Sequence, residues 1–263
     1  MRIVTWNINS LRLRLPTLER VVGALNPDIV CLQETKVPDE LFPSDGVAAL
    51  GFDHVVYRGM KSYNGVAILS KVPVVELERR NWCDRDDCRH IAVGLPDGTE
   101  LHDFYVPAGG DIPDPVENDK FAHKLAFVDE MEAWFKNKKQ ARRILVGDLN
   151  IAPGEEDVWS HKQLLKVVSH TPVEVDGLNR ALAAHDWIDV ARHFIPPEEK
   201  IYSWWSYRNR TWPGSDRGRR LDHIWVTPPL KEQLQAYQVF REARGWEKPS
   251  DHAPVAIDID LNI

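Results

Sequence analysis

Asn7, Glu34, Asp148, Asn150, Asp251 and His252 each stand at the edge of a short apolar run, and as a set they could carry out one kind of chemistry. Asn7 follows Ile3-Val4-Thr5-Trp6, and Glu34 follows Ile29-Val30-Cys31-Leu32-Gln33. Asp148 and Asn150 follow Ile144-Leu145-Val146-Gly147, while Asp251 and His252 precede Val255-Ala256-Ile257. Side chains at strand ends are held by a rigid scaffold and commonly serve ligands. The carboxylate and amide oxygens of Glu34, Asn7 and Asp251 suit a hard divalent cation such as Mg²⁺. An Asp near a His orients the imidazole and stabilises its charged form. An Asp close to an Asn, as in Asp148-Leu149-Asn150, can activate a water and hold a phosphate oxygen. The set holds no Ser or Cys nucleophile and no glycine-rich phosphate loop, so it points to metal-assisted hydrolysis. Taken singly, each residue reads more simply. A strand-end carboxylate is usually a turn or cap residue, Asn7 could cap a helix beginning near Ser10, and His252 could be a hydrogen-bonded core histidine. The combination and its order carry the argument.

The elements that must hold these groups are legible from periodicity. Strands are expected over Arg2 to Ile8, Ile29 to Leu32, Val55 to Tyr57 and Gly65 to Leu69. Ile91 to Leu95 and Leu101 to Val106 flank the hairpin signal Asp97-Gly98. Arg143 to Val146 reads as a buried strand ending in Gly147-Asp148, and Ile201 to Tyr207, Asp222 to Val226 and Val255 to Ile259 read as strands too. Leu11 to Leu25 has helical spacing and stops before Asn26-Pro27. Phe121, Leu125, Val128, Met131 and Phe135 mark a second helix, and Glu174 to His193 reads as mostly helical. Strands outnumber helices, no linker or repeat interrupts the chain, and the fold class is α/β: two packed sheets covered by helices, in one domain over residues 1–263.

With 43% hydrophobic residues the chain can bury a substantial core. No apolar run approaches a bilayer span, and Met1 to Trp6 lacks the pattern of a signal peptide, so a cytoplasmic protein without a membrane partner is expected. Three cysteines are too few for a disulfide framework. Cys83, Cys88 and His90 lack a fourth ligand for zinc and read as a polar loop with two reduced thiols. A net charge of −7 opposes binding to DNA overall, so any nucleic-acid surface must be a local basic cluster. Arg208, Arg210, Arg217, Arg219 and Arg220 form such a cluster, interleaved with aromatic residues.

The order of these clusters resembles the exonuclease III and abasic-endonuclease family. Val4-Thr5-Trp6-Asn7-Ile8-Asn9 looks like its opening strand, and Cys31-Leu32-Gln33-Glu34-Thr35-Lys36 like its LQE(T)K motif. Tyr105-Val106-Pro107 resembles YxP, Gly147-Asp148-Leu149-Asn150-Ile151-Ala152-Pro153 resembles GD(L/M)N(I/V)xP, Arg220-Leu221-Asp222 resembles RxD, and Ser250-Asp251-His252-Ala253-Pro254-Val255 resembles SDHxPV. All six occur in order and span nearly the whole chain. The resemblance implies a four-layer α/β sandwich and hydrolysis of the DNA backbone 5′ to an abasic sugar, with 3′-end cleaning and 3′→5′ exonuclease activity on duplex DNA as companions. It implies a monomer using Mg²⁺, with Mn²⁺ as the alternative. Carried over, Glu34, Asn7 and Asp251 belong to the metal site. His252 contacts the scissile phosphate with Asp222 orienting it, Asp148 positions or deprotonates water, and Asn150 and Tyr105 hydrogen-bond the phosphate.

For the DNA surface, the resemblance places Trp204 and Leu221 at a pocket for a flipped-out abasic sugar. Arg208 belongs to the phosphate-binding cluster. Trp212, beside Pro213 and Gly214, could wedge into a groove or pack within its own loop. Of Trp204 and Trp205, one should enter the core and the other line the site. Two departures stand out: Ala108-Gly109-Gly110 follows the YxP motif where Asn or Gln is usual, and His102-Asp103-Phe104 precedes it where an Asn-Gly or Asn-Val pair is usual. The stretch from Gly109 to Asn118 is expected to be an acidic loop over the DNA groove. A lipid- or RNA-directed phosphodiesterase would keep Glu34, Asp148, Asn150 and His252 but give no reason for the Trp and Arg cluster. A binding module that had lost catalysis would have lost a ligand.

Overall fold

Side chains of a strand alternate between two faces, and the apolar alternation here is satisfied on both faces of two sheets. The computed structural model describes residues 1–136, 138, 141–208 and 212–263. The first sheet contains β1 (Arg2–Asn7), β2 (Ile29–Gln33), β3 (His54–Arg58), β4 (Val66–Ser70), β13 (Leu234–Val239) and β14 (Val255–Ile259), in the order β13-β14-β1-β2-β4-β3. The second contains β5 (Val75–Glu78), β6 (His90–Gly94), β7 (Glu100–Tyr105), β8 (Arg143–Asp148), β9 (Ile188–Asp189) and β12 (Asp222–Val226), in the order β5-β6-β7-β8-β12-β9. Each sheet is mixed: β1 runs parallel to β2 and β7 parallel to β8, the other pairs being antiparallel. A two-stranded ribbon of β10 (Trp204–Trp205) and β11 (Gly218–Arg219) stands apart.

Between the sheets, Ile3, Ile29, Cys31, Ile68 and Ile257 meet Ile91, Leu101, Ile144, Val146 and Ile224 in one buried layer. Each such aliphatic side chain contributes about 1.5–3 kcal/mol relative to leaving it in water. The outer face of the first sheet buries Val4, Trp6, Val30 and Leu32 against Leu11, Leu18, Val21 and Leu25 of α1 (Leu11–Leu25). The short α2 (Ser44–Ala48) adds Val47 to the same layer. The outer face of the second sheet buries Phe104 and Leu145 against Phe127, Val128, Met131 and Phe135 of α3 (Asp119–Phe135) and Leu178 and Ala181 of α5 (Pro172–Ala184). With α4 (His161–Leu164) and α6 (Val190–Phe194) this completes a four-layer α/β sandwich. No helix among the described residues is long and apolar enough to cross a membrane.

The expected strand from Ile201 to Tyr207 is shorter, because only Trp204–Trp205 finds a ladder partner, at Gly218–Arg219. The helix expected from Glu174 to His193 is broken. It ends at Ala184, and Ile188–Asp189 joins the edge of the second sheet beside β12 before α6 begins.

Candidate active site

The C-terminal ends of β1, β2, β7 and β8 gather at one end of the sandwich, together with the start of β12 and the loop before β14. Glycine makes part of this convergence feasible. Gly147 has φ 141°, and a Cβ there would overlap the backbone of Phe104 on the neighbouring strand, so only glycine lets β7 and β8 approach so closely beside Asp148. Glu34 (φ 51°), Lys36 (φ 53°), Asn9 (φ 49°) and Asn150 (φ 54°) hold left-handed backbone, a conformation that non-glycine residues adopt mainly where their surroundings force it. The loop from Lys248 to His252 is pinned from outside: Arg14 donates to the carbonyls of Lys248 and Pro249, each at 3.0 Å, and Ser250 Oγ donates to Asn7 O at 2.6 Å.

This convergence brings seven predicted residues into one hydrogen-bonded set. Asn7 Nδ2 donates to Glu34 Oε1 at 2.9 Å and to Asp148 Oδ2 at 2.8 Å, so it joins the two halves of the site. Tyr105 donates its hydroxyl to Glu34 Oε1 at 2.8 Å. Asn150 donates from Nδ2 to Asp148 Oδ2 at 3.1 Å and from its backbone to Asp148 Oδ1 at 2.9 Å. His252 places Nδ1 2.8 Å from Asp222 Oδ2 and Nε2 3.6 Å from Asp148 Oδ2. Among the described residues, the tight grouping of ligand-type atoms is Asp148, Asp222 and His252, all within 4.8 Å, a set the sequence assigned to phosphate and water chemistry.

Neighbours override burial at His252, Glu34 and Asp251, whereas burial prevails at Asp148. Burial alone would discharge His252, but Asp222 and Asp148 overcome it and raise the imidazole to about 10, so it is a cation at neutral pH. Burial pushes the Asp148 carboxyl up, reinforced by Asp222 and Glu34 and opposed by His252 and Asn7. Burial would also raise Glu34, yet Lys36, Asn7 and Tyr105 hold it below the usual carboxylate range. Asp251 is likewise held low against burial by His252, Asn9 and Trp204.

Asp251 reaches the same cavity with both oxygens engaged, Oδ1 by Asn9 Nδ2 and Oδ2 by Trp204 Nε1, each at 3.0 Å. Asn9 and Lys36 had no role in the sequence reading. Lys36 Nζ lies 2.7 Å from Glu34 Oε2 and donates to Asn9 Oδ1 at 2.6 Å, which links Glu34 to Asp251. The available signal was their position two residues beyond Asn7 and Glu34. A positive group is thus already a favoured neighbour of Glu34, and the oxygen donors of Glu34, Asn7 and Asp148 fit a hard divalent cation.

The site opens into a cavity of about 990 Å³. Trp204 is half-buried in its wall while Trp205 is fully buried, so the pair divides as expected. Leu221 lines the wall and Arg208 stands exposed at the rim. Trp212 is not in this wall. It packs edge-on against Trp205, with ring centroids 4.6 Å apart, and lies under Arg241 and Arg244. Arg210 lies outside the described residues. Arg220 leaves the basic surface altogether: it is buried and gripped by Asp157 and Asp189. Ala108, Gly110 and Asp111 line the same cavity as Arg208. The glycine in this departure makes room for a buried lysine, since a Cβ on Gly109 (φ 89°) would sit 2.9 Å from Lys124 Cδ. Away from the cavity, Cys83 and Cys88 are free thiols and His90 faces His102 at 3.2 Å.

Comparison with known proteins agrees with this architecture. The chain belongs to the endonuclease/exonuclease/phosphatase family, whose pattern matches residues 4–252. Within that family it falls in the exonuclease III and AP endonuclease group, and it is a hydrolase of the metal-dependent nuclease class. It is 31% identical to exodeoxyribonuclease III of Haemophilus influenzae over 97% of this chain and 98% of that one. An AP endonuclease from Archaeoglobus fulgidus superposes with a TM-score of 0.91 at 31% identity, covering 99% of this chain and 100% of that one. A 3′ phosphatase from Neisseria, solved with a product DNA hairpin, superposes with a TM-score of 0.89 at 31% identity and the same coverage.

Proposed function

We propose that this chain is a Mg²⁺-dependent DNA repair phosphodiesterase that hydrolyses the backbone 5′ to abasic sites and trims blocked 3′ ends. The observation that carries the reading is the joined set Asn7, Glu34, Tyr105, Asp148, Asn150, Asp222 and His252 opening into a cavity walled by Trp204 and Leu221. Glu34 would hold the cation with Asn7 beside it and Asp251 nearby. When bound, Mg²⁺ supplies charge neutralisation at the phosphate oxygens. Mn²⁺ is expected to substitute.

The protein's own groups do the rest. Asp148, whose oxygens accept from Asn7 and Asn150, is placed to orient a water and take its proton. The cationic His252, steadied by Asp222, presents Nε2 to the phosphate and stabilises charge as it develops. Tyr105 and Asn150 would complete the donors around the phosphate by exchanging their present hydrogen bonds to Glu34 and Asp148. Tyr105 keeps its proton because burial and Glu34 push its pKa up. Trp204 and Leu221 would face the abasic sugar, and Arg208 a strand phosphate. Trp212, packed on Trp205, is better placed to brace this wall than to enter a groove. The reading makes residues 1–263 one catalytic unit, a monomer acting on double-stranded DNA in the cytoplasm.

The test is a duplex carrying one abasic analogue, incubated with protein and Mg²⁺ beside Glu34→Ala and a chelator control. Incision directly 5′ to the lesion, lost in both controls, is expected. A folded wild type that leaves this duplex and 3′-blocked duplexes intact would overturn the reading and make lipid and RNA phosphodiesters the next substrates.

A further inference from the structure

Arg219 and Arg220 are adjacent, yet only one has its charge matched. Arg220 is buried and meets Asp157 at 2.8 and 2.9 Å and Asp189 at 2.8 Å. Arg219 is partly buried on β11 in the cavity wall, its backbone fixed by pairing with Trp204. Its guanidinium lies over the Trp204 ring, 5.2 Å from the centroid. Nη1 is spent on Val168 O at 3.0 Å and Ser169 Oγ at 2.6 Å. Nε is buried without a partner, and no carboxylate among the described residues lies within ion-pair reach. The carboxylate behind this wall, Glu174, is already held by Lys124 at 2.5 Å and by Ser169 N, Thr171 N and Thr171 Oγ1. Of the cavity's own carboxylates, Glu34, Asp148 and Asp251 belong to the catalytic end, and Asp111 sits on the rim with Gly110. A second arginine, Arg217, lies over Trp159 in the same cavity, 4.7 Å from the ring centroid.

Withdrawing a guanidinium from water without a counter-charge is costly, and the usual resolution is an anion brought by the ligand. An apolar recess of Trp204 and Leu221 alone would suit a neutral sugar. We infer that Arg219 is a specificity-determining residue that makes this recess prefer a substrate carrying an oxyanion beyond the scissile phosphate. Resting on the function proposed above, the inference names a substrate class: a 3′-phosphate esterified with a short acid, or a sugar followed by the next strand phosphate. In the reaction, water attacks phosphorus and the bond to the DNA 3′ oxygen breaks. That oxygen leaves with a proton as the 3′-hydroxyl, and the phosphorylated fragment departs with its charge beside Arg219.

The test compares two duplexes with 3′ blocks of equal size, one a carboxymethyl ester of the 3′-phosphate and the other its neutral 2-hydroxyethyl counterpart, with an internal abasic analogue as a third arm. Wild type should favour the acidic block by roughly 10-fold or more in kcat/KM, the scale of one hydrogen bond to a charged group. Arg219→Met should bring that ratio close to one, with Arg219→Lys retaining part of it. If the abasic duplex suffers in Arg219→Met while the acid preference was never present, the anion is the next strand phosphate. Equal rates on both blocks in wild type with no selective loss on any arm in Arg219→Met would overturn the inference and leave the function standing. Should Arg219→Met fail to fold, the wild-type ratio and the lysine variant still decide. A wild type that cuts none of the three would overturn the function, and this inference with it.

Discussion

His252 and His223 are both buried, 4% and 1% exposed, and both lie within reach of β12, yet they are in opposite charge states. Alternation along β12 turns Asp222 to the inter-sheet face and His223 to the other. His252 meets Asp222 and Asp148 and is held protonated. His223 accepts neither; it faces Arg220 at 3.3 Å and Ile151 O at 2.8 Å, and burial together with Arg220 lowers it to about 4. Burial is common to both, so the charge of the catalytic end is set by which carboxylates the strand register delivers.

Replacing one of those carboxylates should have the largest effect. Asp222→Asn is expected to lower kcat on abasic duplex by about 10³–10⁴-fold, as when the orienting Asp of a buried His is neutralised. NMR should show the His252 titration moving down from about 10, and an unmoved titration would break the comparison. On the other face, Arg220→Met should cost about 3–5 kcal/mol of stability, because it leaves buried carboxylates uncompensated. Among the described residues, Asp157 would keep Arg192 as its one cationic partner, beside the Gly154 N–H. Urea unfolding measures this, and a near-neutral result would mean that the pairing does not govern that region.

The pH profile of stability separates the two regions next. His223 and His185 are held down at about 4 by burial and by Arg220 and Arg143 respectively, and burial lowers His90 and His102 as well. An unfolded imidazole titrates near about 6.5, so between there and 4 the unfolded chain binds more protons and stability must fall as pH falls. His252 works the other way: its contribution is complete below about 6.5 and is lost as pH rises through about 10. The melting temperature should therefore peak between the two limbs, and a flat acid limb would refute the assignment of neutral buried histidines. The smallest effect concerns the rim. Arg208→Ala or Arg217→Ala should each reduce the slope of log affinity against log salt by about 0.9, one phosphate contact apiece. Fluorescence anisotropy across a salt series would detect an unchanged slope.

What the sequence revealed and what it hid have physical causes. Leu11–Leu25 was legible to the residue because it buries one regular helical face before a clear stop signal, and Val255–Ile259 because it is a short apolar run buried on both faces of its sheet. Val75–Glu78 and Leu234–Val239 were missed: both are edge strands that fully bury at most one side chain, so no alternating pattern marks them. In the candidate site, the residues after the strand ends were legible because carboxylates and amides there interrupt apolar runs. Asn9, Lys36 and the unmatched charge of Arg219 were not, since each acquires its meaning from a partner distant in sequence.

The ladder between β1 and β14 also has a mechanical direction. Its rungs run from Arg2↔Asp258 to Thr5↔Val255, and the site lies just past the second end, at Asn7 and His252. Tension applied through Arg2 and Ile259 would therefore load these rungs singly, like a zipper, and the rupture front would travel toward Asn7. A molecule stretched between its termini should lose its catalytic geometry at low force, while the helices packed on the second sheet are still in place.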